Sequence, residues 1–206
     1  MSKQRKTQRT FIATAAATAI AASAIAPAVS ASSSFTDVAP KYKEAIDFMV
    51  SKGAKGINAT TFGTDKEITR ADAAIILAKV LGLDTEKAPA SGFTDVPKRA
   101  VTYVNAIKKA GITSGKTKTA FGSHAPITRG ELAVWIQIAY SLKGQSSNAF
   151  TDVSAKYTEA VSALIAHKIA NGLTISKFGT GQNVKRGDFA LMLHKADATK
   201  KTPKHN

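Results

Sequence analysis

The stretch "FGTDKEITRADAA", residues 62–74, recurs as "FGSHAPITRGELA" at 121–133 and as "FGTGQNVKRGDFA" at 178–190. Each copy sets a Phe-Gly turn and a polar link before an arginine at the mouth of a helical pattern. One copy is an ordinary helix start; three at near-equal spacing require a common cause. Arg70, Arg129 and Arg186 lie 59 and 57 residues apart. A second landmark, Phe-Thr-Asp-Val, begins at Phe35, Phe93 and Phe150, 58 and 57 residues apart. Two markers that keep one period identify a threefold duplication.

Every unit reads alike. Its Phe-Thr-Asp-Val comes first, with the aspartate placed to cap the turn into a helix. Ala45, Ile46, Met49 and Val50 then share one helical face. Their counterparts are Tyr103, Val104, Ile107 and Lys108, then Ala160, Val161, Leu164 and Ile165. Gly53 and Gly111 are good stop residues; unit three has Lys168 there, and its glycine is delayed to Gly172. A loop of about a dozen residues, a length usual for functional or specially packed loops, crosses to Phe-Gly.

The second helix opens with a hydroxyl-x-x-carboxylate box, Thr69 with Asp72 and Thr128 with Glu131. Lys185 replaces the threonine in unit three and leaves Asp188 alone. Ala73, Ile76, Leu77 and Val80 form its apolar stripe, matched by Leu132, Trp135, Ile136 and Ala139, and by Phe189, Met192, Leu193 and Ala196. Trp135 has two readings, a ligand platform and a core residue, and its register with Ile76 and Met192 favours the core. Two short helices cannot bury a core alone, whereas three stacked units can. The expected fold is therefore all-α: three helix-loop-helix repeats, 33–90, 91–147 and 148–198, joined in one domain with the second helices converging in the middle.

The ends do not belong to that fold. Lys3, Arg5, Lys6 and Arg9 precede an Ala-rich apolar run from Phe11 to Ala26, then Val29-Ser30-Ala31. This is the order of a secretory signal, residues 1–31, cut after Ala31. No other stretch is long and apolar enough to span a bilayer. The tail 199–206 is basic and expected to be disordered. The whole chain carries a formal net charge of +15, which draws it to polyanions. Outside a cell these are wall polymers and anionic surfaces; no interleaved aromatic-basic pattern points to nucleic acid. There is no cysteine, so neither disulfides nor metal thiolates are available.

The succession F-T-D-V, helix, F-G, then I-T-R-A-D/E resembles the S-layer homology motif, in three copies across residues 33–198. The resemblance implies three prongs around a pseudo-threefold helical bundle. It also implies grooves that hold a secondary cell wall polysaccharide, often one bearing pyruvate ketals on N-acetylmannosamine. The family's arginine maps to Arg70, Arg129 and Arg186, its glycine to Gly63, Gly122 and Gly179, and its aspartate to Asp37, Asp95 and Asp152. An aromatic near the start of the first helix maps to Tyr42 and Tyr157; unit two has Ala100 at that place.

Chemistry fits that expectation. A ketal-linked pyruvate is a carboxylate on a rigid ring, and arginine offers it a planar fork of donors. At the first helical position the arginine would stand beside free backbone N–H groups, a natural anion seat. The alternative is that each arginine pairs with the acid two residues on, such as Asp72, or with the motif aspartate of a neighbouring unit. Catalysis has little support. His124, His167, His194 and His205 fall at unrelated places, without metal-ligand spacing or a nucleophile partner. A carboxylate set from Asp37, Asp95 and Asp152 would be redundant as a hydrolase. The expected role is thus non-catalytic anchoring to the wall of a Gram-positive bacterium, with no cofactor or metal and S-layer proteins as further partners. A structural lattice component and the anchor of a larger surface enzyme are the alternatives. Because the sequence ends soon after the last repeat, a stand-alone wall-binding protein or the anchor part of a larger one is expected.

Overall fold

The computed structural model describes residues 35–146 and 150–200. Residues 1–34, which include the predicted signal 1–31, and residues 147–149 and 201–206 lie outside them. Six α-helices appear: α1 Pro40–Ser51, α2 Arg70–Leu81, α3 Val101–Lys109, α4 Arg129–Ala139, α5 Ala155–Ala166 and α6 Arg186–Ala198. A short 3-10 turn, Lys98–Ala100, leads into α3. The all-α expectation holds, and none of these helices is long and apolar enough to cross a membrane.

The predicted stripes are the buried faces. Ala45, Ile46 and Met49, Val104 and Ile107, and Ala160, Val161 and Leu164 are buried on the first helices. On the second helices Ile76, Leu77, Trp135, Ile136, Met192 and Leu193 are buried. Local signals set the starts. Thr128 and Glu131 form the full capping box. Thr69 accepts from the Asp72 N–H, but Asp72 takes the Thr69 hydroxyl instead of reaching the backbone, so that box is half made. Lys185 contributes no side-chain cap. Unit three solves its missing glycine by strain: Lys168 sits at φ 56°, where Gly53 and Gly111 have 84° and 72°.

The motif aspartates do not cap the first helices, whose starts have no side-chain cap. Each reaches instead some 25 residues ahead and clamps the Phe-Gly turn of its own unit. Asp37 accepts from the N–H groups of Phe62, Gly63 and Thr64 at 2.7, 2.7 and 3.0 Å. Asp95 and Asp152 repeat the pattern on Phe121–Ser123 and Phe178–Thr180. Two carboxylate oxygens can take several donors, and three backbone donors suit that geometry better than a helix start does. The clamp seats Phe62, Phe121 and Phe178, fully buried, against Phe35, Phe93 and Phe150 at centroid distances of 5.5, 5.6 and 5.8 Å.

The units close into a ring. α2 packs on α3, α4 on α5, and α6 returns to α1. Each second helix therefore covers the first helix of the next unit. At the middle, the expected convergence is made by the residues just before the second helices. The Ile68 N–H donates to Val184 C=O, Val184 to Ile127, and Ile127 to Ile68, at 2.9, 3.0 and 3.1 Å. Three backbone donors and three acceptors are thus satisfied in a closed cycle.

Candidate ligand-binding clefts

Each arginine stands at the first position of its helix and crosses to the next unit. Nε of Arg70, Arg129 and Arg186 donates to the carbonyl of Phe121, Phe178 and Phe62, at 2.9, 3.2 and 2.9 Å. The guanidinium carbons lie 5.0, 4.8 and 4.7 Å from the centroids of the same rings. Gly122, Gly179 and Gly63 lie beside these arginines. They sit at φ 77–84°, and a Cβ there would press on Lys116, Leu173 and Ile57 of the prong loops at 2.9, 2.3 and 3.0 Å, while the arginines lie at ordinary contact distance. The glycines therefore make the turn and leave room for the loop packed over it.

The free N–H seat expected at the helix mouth is not free. The N–H groups of Arg70 and Ala71 donate to Ala125 and Ser123 of unit two. Those of Arg129 and Gly130 donate to Gln182 and Thr180, and those of Arg186 and Gly187 to Lys66 and Thr64. Backbone carbonyls of the next unit already occupy the positive end of each helix. What remains for a ligand is the outer edge of the guanidinium.

Three clefts open beside these edges. The Arg70 cleft, about 550 Å³, is walled by residues 111–115, by Glu131, Val134, Trp135 and Ile138 of α4, and by Lys156 and Tyr157. The Arg186 cleft, about 370 Å³, lies among residues 53–57, Asp72, Ile76 and Lys79 of α2, and Arg99. The Arg129 cleft, about 210 Å³, lies among residues 169–173 and Asp188, Leu191, Met192 and Lys195 of α6. All three have the same plan: prong loop, second helix of the same unit, arginine of the unit before.

The electrostatics differ between clefts. Arg129 and Arg186 give Nη2 to the carbonyls of Asn171 and Lys55, at 3.0 and 2.9 Å, and neither makes an ion pair among the described residues. Carbonyls satisfy donors without cancelling charge. Asp188 and Asp72 act on Arg129 and Arg186 through space without pairing with them, so each fork keeps donors for a carboxylate. Arg70 instead meets Glu131 Oε2 at 3.1 Å, and Lys116 bonds the other Glu131 oxygen. Burial works to raise the Glu131 pKa, but the Lys116 bond and the Arg70 charge outweigh it and hold the carboxylate ionised. At the motif aspartates burial likewise acts upward, and the three N–H bonds together bring each below its ordinary value.

The remaining sequence candidates divide. Tyr157 lines the Arg70 cleft. Tyr42 is buried, its hydroxyl donating to Asp188 at 3.0 Å at the rim of the Arg129 cleft. Asp37, Asp95 and Asp152 lie outside the three clefts, in the turns behind them. Sequence reasoning missed Glu131, Asp72 and Asp188 as cleft residues, and missed Arg99 and Lys156 beside the tyrosine position. It favoured the core over a ligand platform for Trp135, which is 4% exposed and also lines a cleft. The signal was available: Ile76, Trp135 and Met192 share one register, and each lines its own unit's cleft.

A ring of three helix-loop-helix units, each lending an arginine to its neighbour's prong, defines an all-α repeat protein whose clefts lie between repeats. The S-layer homology domain model matches at 34–74, 92–133 and 149–190; the chain belongs to that family. It is 27% identical to an S-layer protein of Bacillus licheniformis over 91% of this chain and 22% of the other. It is 33% identical to the surface-layer 125 kDa protein of Lysinibacillus sphaericus over 99% of this chain and 18% of the other. It also matches an endoglucanase of a Bacillus strain, 28% identical over 67% of this chain and 16% of the enzyme. The chain spans about a fifth of the length of the curated relatives it matches.

Proposed function

We propose that this chain anchors non-covalently to a bacterial cell wall by binding an anionic secondary cell wall polysaccharide, a pyruvylated glycan, in the clefts between repeats. The observation that carries this reading is the pair of buried guanidinium groups, Arg129 and Arg186, that edge clefts and make no ion pair among the described residues. A sugar-borne carboxylate would pair with the guanidinium in a geometry the fork accepts. One charge-assisted hydrogen bond contributes roughly 1.5–3 kcal/mol, so two such bonds, about 3–6 kcal/mol, put a single cleft near the millimolar range. A polymer that repeats its epitope engages more than one cleft and multiplies that affinity.

The proposed role is non-catalytic and extracellular, on a Gram-positive surface reached through the leader 1–31. S-layer proteins are proposed as neighbours, since relatives carry that name. The endoglucanase match favours a second reading, in which this chain is the anchor part of a surface enzyme. Both readings share one test. The chain is sedimented with purified wall sacculi before and after chemical removal of the secondary polymer, the peptidoglycan being kept. Binding should vanish with the polymer; equal binding to stripped sacculi refutes the proposal.

A further inference from the structure

We propose that Asn171 is a self-modifying residue: it converts, without an enzyme, to isoaspartate, and the carboxylate so made pairs with Arg129. The conversion itself does not depend on the anchoring reading. Its effect on wall binding rests on that reading, because Arg129 edges one of the clefts.

Observations at the third prong carry it. Asn171 is followed by Gly172, and no other asparagine of the chain precedes a glycine. A glycine nitrogen is the least hindered in attacking the side chain before it, because it has no Cβ beside it. The fold fixes this glycine: a Cβ on Gly172 would meet the Thr174 carbonyl oxygen at 2.4 Å and the Phe150 ring at 2.5 Å. Gly56 and Gly115 meet Phe35 and Phe93 in the same way, but Lys55 and Ser114 precede them. Both reacting groups of unit three are unengaged. The Asn171 side chain is exposed, and neither it nor the Gly172 N–H makes a hydrogen bond among the described residues. In unit two the Gly115 N–H is tied to Thr113 Oγ1 at 3.2 Å. Finally, Arg129 Nη2 donates to the Asn171 carbonyl at 3.0 Å. That carbonyl belongs to the same peptide group as the Gly172 nitrogen. A cationic donor on its oxygen favours the amide anion that attacks.

The step needs no co-reactant but water. The Gly172 nitrogen gives up its proton and bonds Asn171 Cγ, and the side-chain nitrogen takes a proton and leaves as ammonia. A cyclic imide remains. Water opens it, and no atom is oxidised or reduced. Opening at the main-chain carbonyl gives isoaspartate: the chain then runs through Cβ and Cγ, and the former main-chain carbonyl becomes a free carboxylate. Its oxygen is the one Arg129 already holds. A neutral acceptor thus becomes an anionic one in place, and the guanidinium gains a bonded counter-charge. Asp188 shares the cleft and acts on Arg129 only through space, so the new carboxylate is the one that bonds it.

The full chain is aged in neutral buffer, folded and, in parallel, unfolded in urea. Peptide mass spectrometry locates the conversion, and enzymatic methylation of isoaspartate counts it. In the folded chain isoaspartate should appear at residue 171 and at no other asparagine, at least as fast as in urea. Conversion that is absent, or slower in the folded chain than in urea, overturns the proposal. Arg129→Met keeps the side chain's bulk and removes its donors. It should slow the conversion by about tenfold or more, the effect of losing a donor aimed at developing negative charge. An unchanged rate in the folded variant refutes the part given to Arg129; if the variant does not fold, the comparison with urea decides that part alone. A partly aged sample is then sedimented with sacculi that keep their secondary polymer. The isoaspartate form should be enriched in the supernatant, whereas Asn171→Ser, aged alike, should sediment as the fresh chain does. Equal partition of the two forms refutes the pairing with Arg129. A fresh chain that fails to sediment refutes the anchoring reading and leaves the mass spectra to judge the conversion.

Discussion

Lys168 and Ser141 show how single residues carry the cost of the duplication. Both hold left-handed backbone, at φ 56° and 51°, and each fills a place where another unit has glycine. Lys168 corresponds to Gly53 and Gly111, and Ser141 to Gly82. A side chain in that region costs roughly 1–2 kcal/mol, which glycine avoids at some expense in unfolded-chain entropy. Lys168→Gly is expected to raise stability by about 0.5–1 kcal/mol, read as a higher melting temperature. The same change at a right-handed site, such as Lys43→Gly in α1, should lower it. The arginines illustrate the opposite economy: one side chain closes a turn of the next unit, stacks on its phenylalanine and edges a cleft. A lysine in that place has no fork with which to do all three.

Between elements, the fit where each second helix starts is set by matched partners. Gly130 faces the ring of Tyr157 and Gly187 that of Tyr42; a Cβ would approach those rings at 2.9 and 3.0 Å. α2 has Ala71 at this position, and the residue of unit two at the tyrosine position is Ala100. A glycine under an aromatic and an alanine opposite an alanine are two solutions to one spacing. This explains the Ala100 departure: it answers Ala71. Helix propensity alone would favour Gly130→Ala by about 1 kcal/mol, but overpacking against Tyr157 should make it destabilising by about 1–3 kcal/mol. Adding Tyr157→Ala should relieve that conflict, giving a coupling of about 1 kcal/mol or more in a double-mutant cycle from denaturant melts. Additive losses would show that the ring and the glycine do not meet as described.

As a whole, the molecule is a closed cycle and not an open stack. α1 is covered by α6, and Arg186 of the last unit holds the Phe62 carbonyl of the first. An open repeat array loses stability one unit at a time; a ring that loses a unit loses two interfaces at once. A chain ending at residue 146 leaves α1 without α6, α4 without α5, and Arg129 without Phe178 and Asn171. It should show no cooperative thermal transition by far-ultraviolet circular dichroism. The full chain should unfold in one step, with Trp135 emission and helix signal coincident. A cooperative melt of the truncated chain would mean that the units fold pairwise and the closure adds little.

Local pattern made much of this legible. The period of the apolar residues gave six helices and their buried faces, the hydroxyl-x-x-carboxylate phrase placed two helix starts, and the repeat of Arg70, Arg129 and Arg186 marked where to look for a site. These follow from interactions within a few residues along the chain, which sequence order encodes directly. Tertiary structure alone decided whom each group serves. Arg70 bonds a carbonyl 51 residues away and Arg186 one 124 residues away, always in the next unit of the ring. The motif aspartates turned from helix caps into clamps, the helix mouths were filled by neighbouring carbonyls, and one methylene decided that Glu131 reaches its arginine while Asp72 and Asp188 do not. A sequence period states which face a residue occupies. Which partner lies across that face depends on how three units close, and that is fixed only when the chain meets itself.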